Sequence, residues 1–331
     1  MRLTLCLPGS LVPSEFSADL LPSLDTPALF DRLARSELAN ESAAAESARG
    51  AVHLDWIADV LFRSKFPPST APYAWAAASG SPADGQVWHA DPIHLALAGD
   101  HLIAQRLDAH PAEDDEAAAL LAVANELAGQ YGCRFLRSGH HWFLQTGLAW
   151  SIEAVPLDVA IGDSITTHLP RGRDAGRWNH LLNEIQMAWH VHDVNERREA
   201  SGRPTINSLW LHGGGVWEPL RSIVYNEVQS ATPAWRGAAF AAGARASAPG
   251  STPADNALLI GDEAFAPGKR FVRDGGMAAM AAVDRRLAAL GEEHAIDFVL
   301  SGREKLRQLR ARPSARWLRW QRLAVHAVLT E

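Results

Sequence analysis

Cysteine is nearly absent from this chain, which has only Cys6 and Cys133 among 331 residues. Two thiols that lie far apart are too few for a disulfide framework. Neither belongs to a Cys-x-x-Cys pair of the kind that binds metals or performs redox chemistry. We therefore expect two buried, reduced thiols, and the composition excludes a small secreted protein held together by disulfides.

Long apolar runs are also missing. No segment approaches the ~18 consecutive apolar residues that a membrane-spanning helix needs. Residues 1–8 are mostly apolar, but Pro8 and Gly9 end the run and no small-residue cleavage site follows. We expect a first strand here and not a signal peptide, so the sequence predicts a cytoplasmic protein that does not associate with membranes.

Basic residues are fewer than acidic ones. The chain has 31 Lys and Arg and 38 Asp and Glu, which gives a formal net charge of -7. This balance argues against general nucleic-acid binding but leaves room for a local basic patch. Residues 303–322 form such a patch, since they include eight Arg or Lys and one Glu. It is either an amphipathic closing segment or a surface for an acidic partner, RNA or a membrane.

The order of expected elements favours an α/β fold. Buried strands are predicted at residues 2–7, 206–211, 257–260 and 295–300, with a helix at 277–290 between the last two. Strands that alternate with helices predict a parallel, helix-covered sheet. We expect a discontinuous core domain of residues 1–104 and 206–331, with an α+β domain inserted at residues 105–205.

Two helices are expected inside the insertion. Residues 113–131 are amphipathic, and Gly132 follows at a position typical of a helix end. Residues 174–197 form the strongest helical pattern, with Trp178, Leu181, Leu182, Ile185 and Trp189 on one stripe. Before the insertion, the proline-rich residues 66–86 predict a long surface loop.

A first candidate site lies in residues 88–95, which contain His89, Asp91 and His94. These side chains could bind a metal, although spacing alone is weak evidence and a polar turn capped by Asp91 is the alternative. With His212 they form a candidate site of four ligands for Mn²⁺ or Zn²⁺. No His-Glu-x-x-His pattern is present.

A second candidate site follows the strand at 206–211, where His212 is succeeded by Gly213, Gly214 and Gly215. Glycines let a ligand or another backbone approach closely, and α/β sheets bind ligands beyond the carboxyl ends of their strands. The run is neither a dinucleotide fingerprint nor a P-loop. A tight structural turn is the competing interpretation.

Several segments match one known family. They are residues 155–162, 169–172, 182–187, 192–195 and 207–215, Arg198 and Gly202, and a helix that begins near residues 25–27. These segments resemble the archaeal-type cofactor-independent phosphoglycerate mutases of the alkaline phosphatase superfamily. Residues 90–95 and 183–187 are most similar to a proteobacterial branch labelled RpfE-type regulatory protein.

The resemblance implies a three-layer, mainly parallel sheet of alkaline-phosphatase-like type with an inserted α+β cap domain. It also implies phosphoryl transfer through a phosphoserine, with two divalent metals held by Asp and His. Three segments of this chain correspond to the places where the family has these ligands. Residues 7–10 are Leu-Pro-Gly-Ser and residues 301–303 are Ser-Gly-Arg, so neither contains a carboxylate or a histidine. Residues 259–269 lack histidine and end in Lys269.

The sequence therefore predicts a catalytically degenerate homologue that binds a small phosphorylated or anionic ligand, with no cofactor and an unknown partner protein. Arg198 is the strongest candidate for an anion, because its planar fork matches phosphate and carboxylate. The alternatives are an active mutase or phosphatase-like enzyme with a relocated metal site, and a regulatory module that uses the basic segment. The candidate ligand-binding residues are Asp91, His94, Asn183, Asn195, Arg198, Asn207, His212, Gly213 and Gly214.

Overall fold

The chain forms two compact units in a computed structural model that describes residues 1–43, 51–64, 67–161, 163–261, 273–290, 294–311 and 324–331. The outer unit comprises Met1–Phe66 and Pro219–Glu331, and the inserted unit is Pro67–Glu218. The inserted unit thus begins earlier and ends later than the residues 105–205 expected from the sequence.

The strands are β1 (Arg2–Leu7), β2 (Ser36–Ala43), β3 (Gln86–Ala98), β4 (His101–Gln105), β5 (Cys133–Ser138), β6 (His141–Thr146), β7 (Ser208–Val216), β8 (Glu227–Gln229), β9 (Arg245–Ser247), β10 (Ala257–Ile260), β11 (Ala295–Ser301) and β12 (Lys305–Ala311). The α-helices are α1 (Ser14–Leu20), α2 (Pro27–Ala34), α3 (Val52–Ile57), α4 (Ala71–Ser79), α5 (Asp114–Gly129), α6 (Leu157–Ala160), α7 (Ala175–His190), α8 (Asp193–Ala200), α9 (Pro233–Ala241), α10 (Arg273–Ala289) and α11 (Val325–Leu329). Short 3₁₀ turns occupy Leu21–Ser23 and Ile165–Thr167, and a π-helical turn spans Ala58–Phe62.

The outer unit is built on a seven-stranded sheet in the order β2-β12-β11-β1-β10-β8-β9. The five strands from β11 to β9 are parallel, whereas β12 and β2 pair antiparallel at one side. Both faces of this sheet are buried at β1: Leu5 packs with Leu29 of α2 on one face, and Cys6 is buried on the other. The predicted α/β class with a mainly parallel sheet is confirmed.

The inserted unit has a five-stranded antiparallel sheet in which β3 is central. β3 pairs with β4, β6 and β7, and β5 pairs with β6. One cluster of apolar side chains joins this sheet to α5 and α7; it includes Trp142 and Trp189, whose rings meet edge to face at 6.1 Å. Because β3 and β7 belong to this sheet, the inserted unit extends beyond the predicted residues 105–205.

Two local predictions inside the inserted unit require correction. The helix expected over residues 174–197 is divided into α7 and α8, because the His192 side chain accepts a hydrogen bond from the Val194 N–H at 3.1 Å and starts a new helix. The loop expected over residues 66–86 contains α4, which has Pro72 in its first turn, where proline is tolerated.

Candidate functional site

Two neighbouring strands of the inserted unit bring polar side chains together. β3 and β7 pair antiparallel with His89 opposite His212, and their imidazole rings stack with centroids 4.5 Å apart and planes inclined by 16°. Asp91 lies two residues after His89 on β3, so both side chains leave the same face of the sheet. We call His89, Asp91 and His212 the His–Asp–His cluster.

Hydrogen bonds hold this cluster at both ends. The Nε2 atom of His212 lies 2.8 Å from a carboxylate oxygen of Asp91, and the Nε2 atom of His89 lies 3.1 Å from the hydroxyl of Thr70. His89 is buried, whereas the side chains of His212 and Asp91 are 12% and 28% exposed. The cluster is therefore closed on the His89 side and open to solvent beside Asp91.

Burial and mutual charge change the acid–base properties of the cluster. Burial, reinforced by the charge of His212, lowers the pKa of His89 to about 3. Burial alone would raise the pKa of Asp91, but the charge and hydrogen bond of His212 outweigh it and lower this pKa to about 2. His89 is therefore a neutral imidazole and Asp91 a carboxylate at neutral pH.

Thr70 is a further residue of this site, and the sequence did not predict its role. It occupies the N-cap position of α4, yet its hydroxyl contacts His89 and makes no capping hydrogen bond. The Thr-Ala-Pro pattern before a run of alanines is a signal for a helix start. That signal locates α4 but does not indicate the contact with His89, which depends on how α4 packs on the sheet.

The glycine run lies inside β7, so it is not the turn that the sequence left open as an alternative. A Cβ atom at Gly214 would overlap the indole ring of Trp88, and one at Gly213 would overlap the Thr70 hydroxyl. Gly213 also has a φ of +60°, which side-chain-bearing residues rarely adopt. These glycines let Trp88 and Thr70 pack against β7, and this close approach is between protein groups.

The predicted anion-binding role of Arg198 requires correction. Its side chain is fully buried, and Nη1 lies 2.6 Å from the carboxylate of Glu116. The other nitrogens donate to the carbonyl oxygens of Pro204 at 2.8 Å and His110 at 2.5 Å. The guanidinium is thus occupied by the protein itself and stabilises the packing of α8 against α5.

The two predicted asparagines also have structural partners. The side chain of Asn195 donates to the carbonyls of Trp189 and Ile206 at 2.9 Å and accepts from the Ile206 N–H at 2.8 Å. The side chain of Asn207 accepts from the Leu95 N–H at 2.7 Å and donates to its carbonyl at 3.0 Å. Their amides are therefore used to fix the backbone around the start of β7.

The remaining predicted residues lie outside the cluster. His94 shares β3 with Asp91, but its Nδ1 atom lies 2.9 Å from the Thr205 carbonyl. Asn183 is exposed on α7. Of the four ligands considered for a relocated metal site, the structure gathers His89, Asp91 and His212 and leaves His94 apart.

The carboxyl ends of β1 and β11 meet in the outer unit, where the resemblance implies metal ligands. The Ser301 hydroxyl accepts a hydrogen bond from the Gly9 N–H at 3.1 Å, and the Ser301 carbonyl accepts one from the Leu11 N–H at 3.0 Å. The Glu331 carboxylate accepts from the Lys305 N–H at 2.9 Å, and a Cβ atom at Gly302 would overlap it. The polar groups at these strand ends are therefore hydrogen-bonded to one another.

Metal-ligand chemistry in the described residues is confined to the inserted unit. Across those ranges, the His–Asp–His cluster is the one group of three His, Cys, Asp or Glu side chains whose ligand atoms are in mutual reach. Asp262, Glu263 and Lys269 fall outside the described residues. The residues at the ends of β1 and β11 do not fit the two-metal site that the resemblance implies.

The described part of the basic segment is a strand. β12 pairs with β11 and β2, and Leu306 and Leu309 are buried in the sheet. Arg307 lies 2.5 Å from the Glu41 carboxylate and also donates to the Val328 carbonyl at 2.7 Å. Residues 312–323 fall outside the described residues.

The expectation of two buried thiols is confirmed. Cys6 and Cys133 are unpaired, and burial raises their pKa values to about 12 and about 11.

Among the helices that the structure describes, none is long and apolar enough to cross a membrane.

Comparison with known proteins gives local sequence similarity to cofactor-independent phosphoglycerate mutases. Sixty residues are 40% identical to a probable 2,3-bisphosphoglycerate-independent phosphoglycerate mutase of Geobacter sulfurreducens, covering 18% of this chain and 15% of that protein. Sixty-three residues are 32% identical to the 2,3-bisphosphoglycerate-independent phosphoglycerate mutase of Methanosarcina mazei, covering 19% and 16%. The matches thus span less than a fifth of the length of these relatives. No family model matches the chain.

Two solved structures are similar over most of the chain. The PH0037 protein of Pyrococcus horikoshii aligns over 94% of this chain and 87% of its own, with a TM-score of 0.52 and 13% identity. The cofactor-independent phosphoglycerate mutase of Thermoplasma acidophilum aligns over 93% and 88%, with a TM-score of 0.38 and 16% identity. The likeness to the PH0037 protein supports a shared fold.

Proposed function

We propose that the chain is a phosphoglycerate-mutase-like protein that has lost mutase catalysis and binds a small phosphorylated or other anionic ligand in a regulatory role, as its likeness to the RpfE-type branch implies. The local similarity to mutases and the mainly parallel sheet support the ancestry. The chemistry of the strand ends supports the loss of catalysis.

The observation that carries this proposal is the pairing of Ser301 with Gly9. Phosphoryl transfer through two metals needs carboxylates and imidazoles that converge on the cations. The ends of β1 and β11 offer a serine hydroxyl and backbone groups that satisfy each other at 3.1 Å. Arg303 lies two residues after the end of β11, and its positive charge would repel a divalent cation at this edge of the sheet.

The ligand is expected at the open side of the His–Asp–His cluster. Arg198 is buried and cannot reach a ligand. Arg106 is 31% exposed, pairs with Asp158 at 2.5 Å, and contributes to the lowered pKa of Asp91. The guanidinium of Arg106 can donate hydrogen bonds to a small oxyanion on the Asp91 side of the cluster.

Two measurements on the full chain test this proposal. The first follows the interconversion of 2- and 3-phosphoglycerate in the presence of Mn²⁺, with an active metal-dependent mutase as the reference. We expect no turnover above the protein-free rate. Turnover of about 1 s⁻¹ or faster, an ordinary enzymatic rate, would contradict the loss of catalysis.

The second measurement is the shift in unfolding temperature caused by 3-phosphoglycerate and by inorganic phosphate. We expect both to stabilise the wild-type chain and to stabilise Arg106→Gln less. Arg310→Gln, an exposed arginine on β12, is the matched control and should respond like the wild type. Equal shifts in all three proteins would contradict the proposed ligand position.

A further inference from the structure

The His–Asp–His cluster has the ligand set of a metal site. We propose that His89, Asp91 and His212 bind one divalent transition-metal ion, with Zn²⁺ and Mn²⁺ as the leading candidates. This inference rests on the proposed function in one respect: both take the His–Asp–His cluster as the functional site. It concerns the inserted unit and differs in residues and position from the strand-end metal site that the family resemblance implies.

The separations of the ligand atoms fit a single ion. Each of the three side chains places a potential ligand atom within 4.8 Å of the other two. The closest pair, His212 Nε2 and Asp91 Oδ2, is 2.8 Å apart. Two ligands that bind one ion at about 2.1 Å lie about 3.0 Å apart at an octahedral angle and about 3.4 Å apart at the tetrahedral angle of Zn²⁺, so side-chain movements of well under about 1 Å suffice.

The surroundings of the cluster also resemble those of metal ligands. Histidines that bind metals usually hydrogen-bond through their other ring nitrogen, which fixes the ring orientation. Thr70 makes such a bond to one nitrogen of His89. The Nδ1 atom of His212 is buried and has no hydrogen-bond partner in the described chain, so the orientation of this ring rests on its contact with Asp91 and on the stacked ring of His89.

The cluster leaves coordination positions free. Two imidazoles and one carboxylate are a common set for Zn²⁺, Fe²⁺ and Mn²⁺ in sites that keep open positions for water or a ligand. The exposed edge of Asp91 provides access from solvent, whereas Thr70 closes the opposite side. A small anion bound near Arg106 could therefore complete the coordination of the metal.

The test is metal binding by the untagged full chain after removal of metals with a chelator. Equilibrium dialysis with Zn²⁺ should give one bound ion per chain. Asp91→Asn and His212→Gln should each weaken binding by about 100-fold or more, because loss of even an outer partner of a metal ligand costs about 10–100-fold. His94→Gln, on the same strand but outside the cluster, should bind like the wild type.

A second readout observes the histidine side chains directly. On addition of Zn²⁺ to the wild-type chain, the imidazole ¹⁵N resonances of two histidines should shift, and these should be the signals missing from His89→Gln and His212→Gln. Absence of stoichiometric binding, or shifts confined to other histidines, would overturn the inference. Mutase turnover by the wild-type chain would overturn the proposed function, whereas one Zn²⁺ ion bound at the cluster would still support the metal inference, so the two failures are distinguishable.

Discussion

The guanidinium of Arg198 lies 2.6 Å from the carboxylate of Glu116, and neither side chain is more than 4% exposed. Folding removes both charges from water, so each must be compensated by the other and by neighbouring hydrogen bonds. Arg203 contributes a second contact to the same carboxylate at 3.1 Å. The arginine that the sequence favours as an anion ligand is therefore part of the internal packing of the inserted unit.

Replacing Arg198 should reduce stability and not ligand affinity. Arg198→Ala leaves the buried Glu116 carboxylate with weaker compensation, so we expect a loss of about 3 kcal/mol in the free energy of unfolding. Urea unfolding measures this loss. Replacing both partners, as Arg198→Met with Glu116→Leu, should recover part of it. A stable Arg198→Ala protein with reduced phosphate binding would show that the arginine serves a ligand.

The glycine run should be intolerant of side chains for reasons of packing. A Cβ atom at Gly214 would overlap the Trp88 ring, so Gly214→Ala should cost about 1–3 kcal/mol of stability. Gly176 in α7 has open space around it, and Gly176→Ala should stabilise the chain by about 0.5–1 kcal/mol. Thermal unfolding of the two variants compares the predictions. Equal tolerance of both would contradict the packing role of Gly214.

Glu227 should make part of the stability depend on pH. Burial alone would raise its pKa, but hydrogen bonds from Ser247, the Ala254 N–H and Arg245 lower it below the usual 4.5. Because the folded-state pKa is depressed, this contribution is fully present above about pH 4.5 and is lost as the pH falls through the folded pKa.

The check is urea unfolding between pH 3 and pH 7. Glu227→Gln should be less stable at neutral pH and should lose less stability than the wild type as the solution is acidified. The exposed Glu199→Gln is the control and should retain the wild-type profile. A wild-type profile in Glu227→Gln would show that other carboxyl groups govern the acid response.

The first part of the basic segment should be structural. Leu309 is 1% exposed between β11 and β2, so Leu309→Ala should cost about 2–5 kcal/mol of stability. Arg310→Gln, on the exposed side of the same strand, should change stability by less than about 0.5 kcal/mol. A chain that ends at Gly302 should fail to unfold cooperatively. Normal cooperative unfolding of that shortened chain would restore the interpretation of the segment as a separate binding surface.

Sequence periodicity predicted the elements whose burial it encodes. The stripe through Trp178 and Ile185 marks α7, and the apolar run 295–300 marks β11. It missed β2, whose sequence Ser-Glu-Leu-Ala-Asn-Glu-Ser-Ala is polar and mostly exposed. That strand forms by pairing with β12, which lies more than 250 residues later in the chain. The local pattern of apolar and polar residues therefore does not indicate a strand there.

The candidate site was predicted in part for a similar reason. His89, Asp91 and His212 were all named from the sequence, because two of them are close in sequence and the third precedes a glycine run. Which of four candidates converge depends on the register of β3 against β7. A one-residue shift would move the side chains to the other face, and sequence spacing does not fix that register.

We expect metal binding by the described part of this chain to occur at the His–Asp–His cluster and not at the strand ends of the outer unit. Anomalous diffraction from crystals grown with Zn²⁺ or Mn²⁺ tests it most directly. We expect one anomalous peak between His89, Asp91 and His212 and none beside Gly9 and Ser301. A pair of peaks at the ends of β1 and β11, with the cluster empty, would contradict it.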